Sequence, residues 1–352
     1  MRKKYSYNID IILDEKPTKK AAVLNLPYPH GGNLSDLLTL RNDSIVIACT
    51  RNSDININDI FRNYNSGIYA QIAKSFIYYI CTKRKIPKVK KIVITSSRGG
   101  AELDKLKVNP KDFQIQYKLR SKFCSIINSK ALQASLDESP KGTALLKAAS
   151  HLIKSKTKED IFDRFDSLWK AFNSLYKIIG KSEKDHDCHV ALREKLLAYP
   201  TLSTNTARLL SPMTEMQIRD KLRWRQLILN DYATAKKTKA LHDFILRYTD
   251  ARLMKVICQI LPYRQDFLTT ENLLQSTLKH IQSHIQANVN NDQELTAFLC
   301  IKYMYFVRNR SAHGERLDRI IGLNNKEIKE TQWLSDVLES LIIDLINSNN
   351  LF

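Results

Sequence analysis

The sequence is poor in residues that interrupt regular structure, and it lacks the glycine motifs of common phosphate-binding enzymes. Only 9 Gly and 9 Pro occur among 352 residues, which favours long regular elements over a loop-rich scaffold. No Gly-x4-Gly-Lys-Ser/Thr motif is present, and this excludes a P-loop ATPase. No Gly-x-Ser-x-Gly motif is present either, so the nucleophile turn of an α/β-hydrolase is not expected.

Cysteine pairs and long apolar runs are also missing. The six cysteines are far apart, at positions 49, 81, 124, 188, 258 and 300, with no Cys-x-x-Cys pair. This spacing predicts reduced thiols rather than a zinc ribbon or a disulfide framework. Asp10 and Asp14 interrupt the apolar residues near the N-terminus, so no signal peptide is expected. No run approaches the roughly 18–20 apolar residues of a membrane span. We therefore expect a soluble, cytoplasmic protein without a membrane partner.

Acidic residues are too few to balance the basic ones. The chain has 36 Asp+Glu against 56 Lys+Arg, a formal net charge of +20. Such an excess favours a polyanionic partner, with nucleic acid as the first candidate, because cations that neutralise phosphates release counterions. A lysine-rich composition is also common in proteins from AT-rich genomes, so the charge supports a nucleic-acid partner without identifying one.

The first 115 residues have the pattern of a small α+β domain. Short apolar or alternating segments predict strands at 5–13, 21–26, 44–48 and 91–95. Between the last two strands, apolar residues at helical spacing predict a helix (Ile68, Ile72, Phe76, Tyr79) that ends at the basic tripeptide 83–85. We predict an N-terminal α+β domain of unknown role over residues 1–115.

The rest of the chain is predicted to be helical. We predict a helical linker over residues 116–155, with helices at about 119–131 and 144–154, and a larger all-α bundle over residues 156–352. The clearest helix has an apolar stripe at alternating spacings of four and three residues, formed by Ile161, Phe165, Leu168, Phe172, Leu175 and Ile179. Gly180 is placed to end this helix. Further helices are predicted at about 213–231, 237–261, 271–288, 293–313 and 327–348. The fold class expected is therefore α+β.

A group of polar residues follows an apolar helical segment near the C-terminal end. Residues 308–314 read RNRSAHG and come directly after the apolar run 303–307. Asn309 and His313 are four residues apart and share a face if the helix continues that far. Arg308 lies off that face on an ideal helix, but its long side chain, or unwinding at Gly314, would bring it to His313.

These residue types suit the cleavage of an RNA phosphodiester without a metal ion. Histidine has an unperturbed pKa of about 6.5 and can move protons at the 2′-hydroxyl and the leaving 5′-oxygen. Arginine keeps its charge and can hold the phosphorane with two parallel hydrogen bonds. The alternative is a helix end at which Arg and His simply face the negative end of the helix dipole.

The spacing Arg308-x4-His313 is similar to the R-x4-6-H signature of the HEPN superfamily (higher eukaryote and prokaryote nucleotide-binding domains). Members typically carry a polar residue directly after the Arg, the position of Asn309. The segment FDRFDSLWKAFNSLY at 162–176 resembles the first core helix of many prokaryotic HEPN proteins. The resemblance covers roughly residues 156–345 and does not include the N-terminal domain.

The resemblance implies a metal-independent endoribonuclease that needs no cofactor and leaves a 2′,3′-cyclic phosphate and a 5′-hydroxyl. It implies that Arg308 stabilises the phosphorane, that His313 acts as general acid or base, that Asn309 assists, and that Asn173 is a buried polar partner. HEPN domains usually form homodimers with two such motifs facing each other across the interface. Many are toxins, abortive-infection proteins or other antiviral effectors, some with an antitoxin or a trigger protein. The alternatives are a catalytically inactive RNA-binding or scaffolding HEPN module and a DNA-associated protein.

Three other segments are weaker candidates for a site. The run Asp185-His186-Asp187-Cys188-His189 offers metal-ligand types, but we interpret it as a solvated loop between helices. The segment 219–225 interleaves cations with Trp224, which predicts either an RNA-stacking surface or a helix whose Trp enters the core. Further candidates for RNA contact, each equally compatible with a solvated face, are Arg310, Arg223, Arg225, Lys83, Arg84 and Lys85.

Overall fold

The computed structural model describes residues 4–18, 20–29, 34–63, 65–112, 117–312 and 326–352, with the backbone alone for 311 and 312. Contacts divide the chain into two compact units, Met1–Glu159 and Asp160–Phe352. Among the described residues, the first unit combines one antiparallel sheet with helices, and the second consists of helices and their connections. The predicted α+β class, a small α+β domain followed by a larger helical domain, is confirmed.

The sheet of the first unit has six described strands in the order β2-β3-β4-β1-β5-β6. Their bounds are β1 Tyr5–Leu13, β2 Ala22–Pro27, β3 Ser35–Leu40, β4 Ser44–Arg51, β5 Val89–Arg98 and β6 Ala101–Val108. All neighbouring pairs are antiparallel. The four predicted strands are confirmed, whereas β3 and β6 are additional. The pattern of β3 includes the buried Asp36, and β6 is exposed along nearly its whole length, so neither shows an apolar alternation.

The centre of the sheet holds the core of the first unit. Along β1, alternate residues are buried (Tyr7, Ile9, Ile11, Leu13). Ile9 lies opposite Ile47 of β4 and Ile94 of β5, and all three side chains are fully buried. Because side chains alternate between the two faces of a strand, this register places one continuous apolar row against the core.

Helix α1, Gly67–Lys83, is joined to the sheet by a buried polar group. Asp36 accepts hydrogen bonds from Arg51 Nη1 at 2.6 Å and Nη2 at 2.7 Å. The amide of Gln71 on α1 donates to the same carboxylate at 3.0 Å. This arrangement gives a buried carboxylate three donors and connects β3, β4 and α1, which compensates for its removal from water.

The segment predicted as a linker packs inside the first unit instead. It contains α2, Ser129–Leu132, and α3, Pro140–Ser155, and both contact α1. Tyr78 on α1 donates to the carbonyl of Ser129 at 3.0 Å. The helix predicted at 119–131 is wrong apart from the short α2. The backbone there bonds to a distant residue, since the N–H of Arg120 donates to the carbonyl of Lys156 at 2.8 Å.

The second unit contains twelve α-helices among its described residues. They are α4 Ile161–Gly180, α5 Asp185–Ala198, α6 Thr204–Leu210, α7 Glu215–Lys221, α8 Trp224–Asp231, α9 Thr238–Leu246, α10 Ala251–Ile260, α11 Gln265–Thr270, α12 Leu274–Ala287, α13 Asp292–Ala297, α14 Met304–Ala312 and α15 Lys326–Asn347. The helices predicted at 213–231 and 237–261 each divide in two. Leu222 is extended between α7 and α8, and Asp250 caps the start of α10 by accepting from the N–H of Leu253 at 3.0 Å. Among the described helices, none has the apolar length that a membrane-spanning segment needs.

Helix α4 forms as its apolar stripe predicts, and it ends at Gly180. The residue in the left-handed conformation is the next one, Lys181, with φ of 51°. Gly180 serves a different purpose, because a Cβ there would lie 2.4 Å from the Cα of Cys188 on α5. The missing side chain therefore lets α5 pack directly against the end of α4.

Candidate functional site

The helix that carries Arg308 follows a wider helical turn. The sequence predicted one helix over about 293–313, whereas the structure has α13, a π-helical stretch at Phe298–Tyr303, and then α14. Such turns are rare and are frequently found at functional sites. The phenol of Tyr303 anchors this stretch, since it donates to Glu330 on α15 and accepts from the N–H of Arg223 at 2.7 Å.

A buried ionic network anchors α13, the start of the same run of helix. Arg252 is 3% exposed and donates to Asp250 at 2.7 Å and to Asp292 at 2.8 Å. Glu294 on α13 accepts from the backbone N–H groups of Thr249 at 2.6 Å and Asp250 at 2.9 Å. Because each buried charge has a partner, this network can hold the continuous helical segment from α13 to α14 in one position.

Arg308 differs from the buried arginines of this protein in having no carboxylate partner within the described ranges. It is half-buried, and its Nη1 donates to the Oδ1 of the neighbouring Asn309 at 3.1 Å. By contrast, Arg164 pairs with Asp336 at 2.7 Å and Glu339 at 2.9 Å, and Arg252 pairs with two carboxylates. A partly desolvated guanidinium without an acidic partner is suited to binding an external anion.

Side chains of α4 and α5 pack against the part of α14 that precedes Arg308. Tyr305, one turn before Arg308, packs its ring 6.0 Å from that of Trp169 and 5.1 Å from that of His189. His189 also lies 4.7 Å from the ring of Tyr176. We call the group Asn173, Tyr176, His189, Tyr305 and Arg308 the Arg308 cluster. It combines one cation with two phenols, an imidazole and an amide.

Two polar atoms of the Arg308 cluster are buried without a hydrogen-bond partner among the described residues. They are the Oδ1 of Asn173 and the Nε2 of His189. Asn173 lies one turn from both Trp169 and Tyr176 and therefore shares their face of α4. A buried polar group without a partner costs about 1–3 kcal/mol, and at a functional site such groups are available to a ligand.

The pKa values in the Arg308 cluster reflect burial. Desolvation lowers the pKa of His189 to about 4, partly offset by the negative charge of Asp185, so the imidazole is neutral at pH 7. Burial raises the pKa of Tyr176, Asp185 raises it further, and Arg308 acts in the opposite direction through its positive charge. The guanidinium is therefore close enough to Tyr176 to act on it electrostatically.

The predicted catalytic residues fall partly inside the described chain. Arg308 and Asn309 are adjacent on α14 and hydrogen-bonded to each other, whereas His313 lies outside the described residues. Asn173, predicted as a buried polar partner, contributes a buried oxygen to the Arg308 cluster. Arg310 donates to the side chain of Gln226 at 2.6 Å and lies 5.9 Å from the ring of Phe306.

The weaker candidates at 219–225 belong mainly to the core. Trp224 is 3% exposed, stacks on Phe298 at 4.9 Å with an interplanar angle of 6°, and donates to the carbonyl of Ile218 at 3.1 Å. This burial makes Trp224 unsuitable as a base-stacking platform. Arg223 pairs with Glu327 at 3.4 Å and with Glu330. Arg225 is exposed and lies 5.2 Å from the ring of Tyr263.

The segment predicted as a solvated loop, 185–189, is instead the first turn of α5. Cys188 is fully buried and His189 is half-buried, because Gly180 allows the two helices to approach closely. No group of three or more potential metal ligands occurs among the described residues. Sequence reasoning therefore missed His189, and it treated Tyr176 and Tyr305 only as parts of helical segments.

The remaining basic candidates lie in the first unit. Lys83 is the last residue of α1 and is exposed. Arg84 follows it in the left-handed conformation, and Lys85 pairs with Glu15 at 2.6 Å.

No family model, no curated protein and no solved structure matches the chain.

Proposed function

We propose that this protein is a metal-independent endoribonuclease whose reaction centre contains Arg308, Asn309 and His313. The observation that carries the proposal is the half-buried guanidinium of Arg308, which has no carboxylate partner in the described chain. Tyr305, one turn before Arg308, packs against Trp169 of α4 and His189 of α5. Each of these two helices carries a buried polar atom with no hydrogen-bond partner among the described residues, the Oδ1 of Asn173 and the Nε2 of His189. This environment suits a phosphate group better than it suits a structural ion pair.

The proposed reaction is an internal transfer at phosphorus. The 2′-oxygen attacks the adjacent phosphorus and loses its proton to a base, the P–O5′ bond breaks, and the 5′-oxygen receives a proton. The products are a 2′,3′-cyclic phosphate and a 5′-hydroxyl. His313 moves the protons, Arg308 stabilises the additional negative charge on the phosphorane, and Asn309 orients the Arg308 side chain through its hydrogen bond. No metal ion or other cofactor takes part.

The wider setting of the reaction belongs to the same proposal and follows from the HEPN resemblance. We propose a homodimer that joins two Arg308/His313 motifs at one interface and acts on RNA in the cytoplasm. We also propose a role as a toxin or abortive-infection effector against phage, controlled by an antitoxin or a trigger protein. The net charge of +20 supports a nucleic-acid substrate.

The test is to incubate purified protein with an RNA and with DNA of the same sequence, in buffer containing EDTA. We expect cleavage of the RNA alone, because the attacking 2′-hydroxyl is absent from DNA. Mass spectrometry should show cyclic phosphate ends, which differ from linear monophosphates by one water. Binding of RNA without cleavage would instead support an inactive RNA-binding or scaffolding module, and salt-sensitive binding of duplex DNA alone would support a DNA-associated protein.

Expression in cells gives a test of the proposed toxicity. We expect growth arrest on induction of the wild-type chain and normal growth with Arg308→Ala. The exposed Arg208 on α6 provides a matched control, and Arg208→Ala should remain toxic. Equal toxicity of the wild type, Arg308→Ala and Arg208→Ala would show that growth arrest does not depend on Arg308.

A further inference from the structure

An apolar cavity lies within the first unit, apart from the Arg308 cluster. Its volume is about 660 Å³, within the range of roughly 300–1,000 Å³ that is usual for small-molecule sites. Side chains of α1, β5 and α3 line it, including Phe76, Ile92 and Ile153. The lining also includes three hydroxyl-bearing residues, Tyr117, Ser150 and Thr157, and two lysines, Lys154 and Lys158.

A basic groove of about 400 Å³ adjoins this cavity, and Ile86 lines both. The groove brings together two basic segments that are distant in the sequence, 84–85 and 118–122. Its cations are Arg84, Lys85, Lys118, Arg120 and Lys122. A hydrophobic space and a cationic groove therefore meet within one folded unit.

Every charged side chain that lines either space, among the residues the structure describes, is a cation. Lys154 and Lys158 add to the five cations of the groove. Lys85 pairs with Glu15 and Arg120 pairs with Glu159, whereas Arg84, Lys118 and Lys122 have no acidic partner in the described chain. This concentration of positive charge beside an apolar space is complementary to a ligand with an apolar body and an anionic tail.

We propose that the cavity and the groove together bind a nucleoside polyphosphate, with the base in the cavity and the phosphates in the groove. A base matches the cavity because it is flat and largely apolar on its faces, yet it needs hydrogen bonds at its edges. Ser150, Thr157 and Tyr117 can supply such bonds. Tyr117 is 60% exposed, so its ring is also available for stacking on a base. A polyphosphate chain matches a groove with several unpaired cations better than a single carboxylate does.

Calorimetry with the full-length protein tests this site, using ATP, tripolyphosphate and dodecyl phosphate as probes. We expect ATP to bind and tripolyphosphate to bind at least about tenfold more weakly, because the base contributes through the apolar cavity. Dodecyl phosphate should bind more weakly than ATP, since its alkyl chain makes no hydrogen bond with Ser150 or Tyr117 and its single phosphate meets fewer cations of the groove. ATP binding should also weaken as salt is added.

Two variants test the two halves of the site separately. Ser150→Trp fills the cavity from an exposed position of α3 and should weaken ATP binding to the level of tripolyphosphate, while leaving tripolyphosphate binding unchanged. Arg84→Gly removes a groove cation and should weaken both ligands about tenfold. Arg84 has φ of 54°, a conformation that favours glycine, so this variant should melt at the same temperature as the wild type or higher. The control Lys107→Glu changes an exposed residue of β6 outside both spaces and should leave ATP binding unchanged.

Several outcomes would overturn the proposal. Tripolyphosphate binding as tightly as ATP would make the groove a general anion surface, and dodecyl phosphate binding more tightly than ATP would make the cavity a lipid site. Failure of ATP to bind, together with RNA binding that Arg84→Gly weakens, would make the groove an RNA surface. None of these outcomes depends on RNA cleavage, so the proposal stands or falls independently of the endoribonuclease.

Discussion

The imidazole of His189 lies between two tyrosine rings, 5.1 Å from that of Tyr305 and 4.7 Å from that of Tyr176. This contact connects α5 to α14, one turn before Arg308. The imidazole is neutral at pH 7, and its Nε2 is buried without a hydrogen-bond partner among the described residues. The Arg308 cluster is therefore composed from three helices that are separated in the sequence.

Replacement of Arg308 should leave stability nearly unchanged. Arg308→Ala removes a side chain whose partner in the described chain is the adjacent amide of Asn309, so we expect a free energy of unfolding within about 1 kcal/mol of the wild type. The measurement is urea denaturation followed by circular dichroism. A loss of several kcal/mol would indicate that Arg308 is a structural residue.

Arg252→Ala, in the same unit, should be much more destabilising. It leaves Asp250, which is fully buried, without its guanidinium partner. We expect a loss of about 3–5 kcal/mol, because an unpaired buried carboxylate remains. The same urea titration measures it, and equal stability of Arg252→Ala and Arg308→Ala would contradict the distinction between a structural and a functional arginine.

The burial of His189 should make stability depend on pH. Its pKa is lowered to about 4 in the folded chain, against about 6.5 when unfolded, so between these values the unfolded chain binds the additional proton. The contribution of neutral His189 is thus complete above pH of about 6.5 and is lost as the pH falls towards 4, by up to about 3 kcal/mol. The measurement is the melting temperature of the wild type and of His189→Gln between pH 7.5 and 4.5.

We expect the wild type to lose stability relative to His189→Gln as the pH falls, because glutamine does not titrate. His186→Gln provides the control, since His186 is exposed on the same helix. That variant should follow the wild type at each pH. Parallel curves for the wild type and His189→Gln would show that His189 is accessible to solvent and not buried against the two tyrosines.

Gly180→Ala should disturb the packing of α5 on α4. The added Cβ would lie 2.4 Å from the Cα of Cys188, and backbone atoms must shift to accommodate it, at a cost of about 1–3 kcal/mol. Lys181→Gly, one residue further on, should instead stabilise the chain by about 0.5–1 kcal/mol, since φ is 51° there. Thermal melting measures both, and a neutral Gly180→Ala would rule out the close approach of these helices.

The fold could be predicted where one face of an element is apolar. The strand β1 buries alternate residues and the helix α4 buries a continuous apolar stripe, so both form where the periodicity of the sequence predicts them. Strand β6 has no buried face, so its sequence shows no apolar alternation from which a strand could be predicted. The helix predicted at 119–131 failed because the backbone there bonds to Lys156, a distant partner that local pattern does not reveal.

The sequence could predict only those residues of the candidate site that are neighbours along the chain. Arg308 and Asn309 are neighbours in the sequence, and their residue types indicate phosphate chemistry. His189 could not be found in the same way, because it reaches the Arg308 cluster through a close approach of helices at Gly180. The burial of Trp224 likewise depends on stacking against Phe298, more than seventy residues away.

Cleavage rates with single-site variants decide between catalysis and simple binding. A labelled RNA is incubated in EDTA with the wild type, with His313→Ala and with Arg308→Ala, and His284→Ala on α12 is the control. We expect the wild type and His284→Ala to cut at equal rates, and the other two variants to remain folded and cut about 100- to 1,000-fold more slowly. Cleavage by His313→Ala and Arg308→Ala at the wild-type rate would contradict the proposed reaction centre.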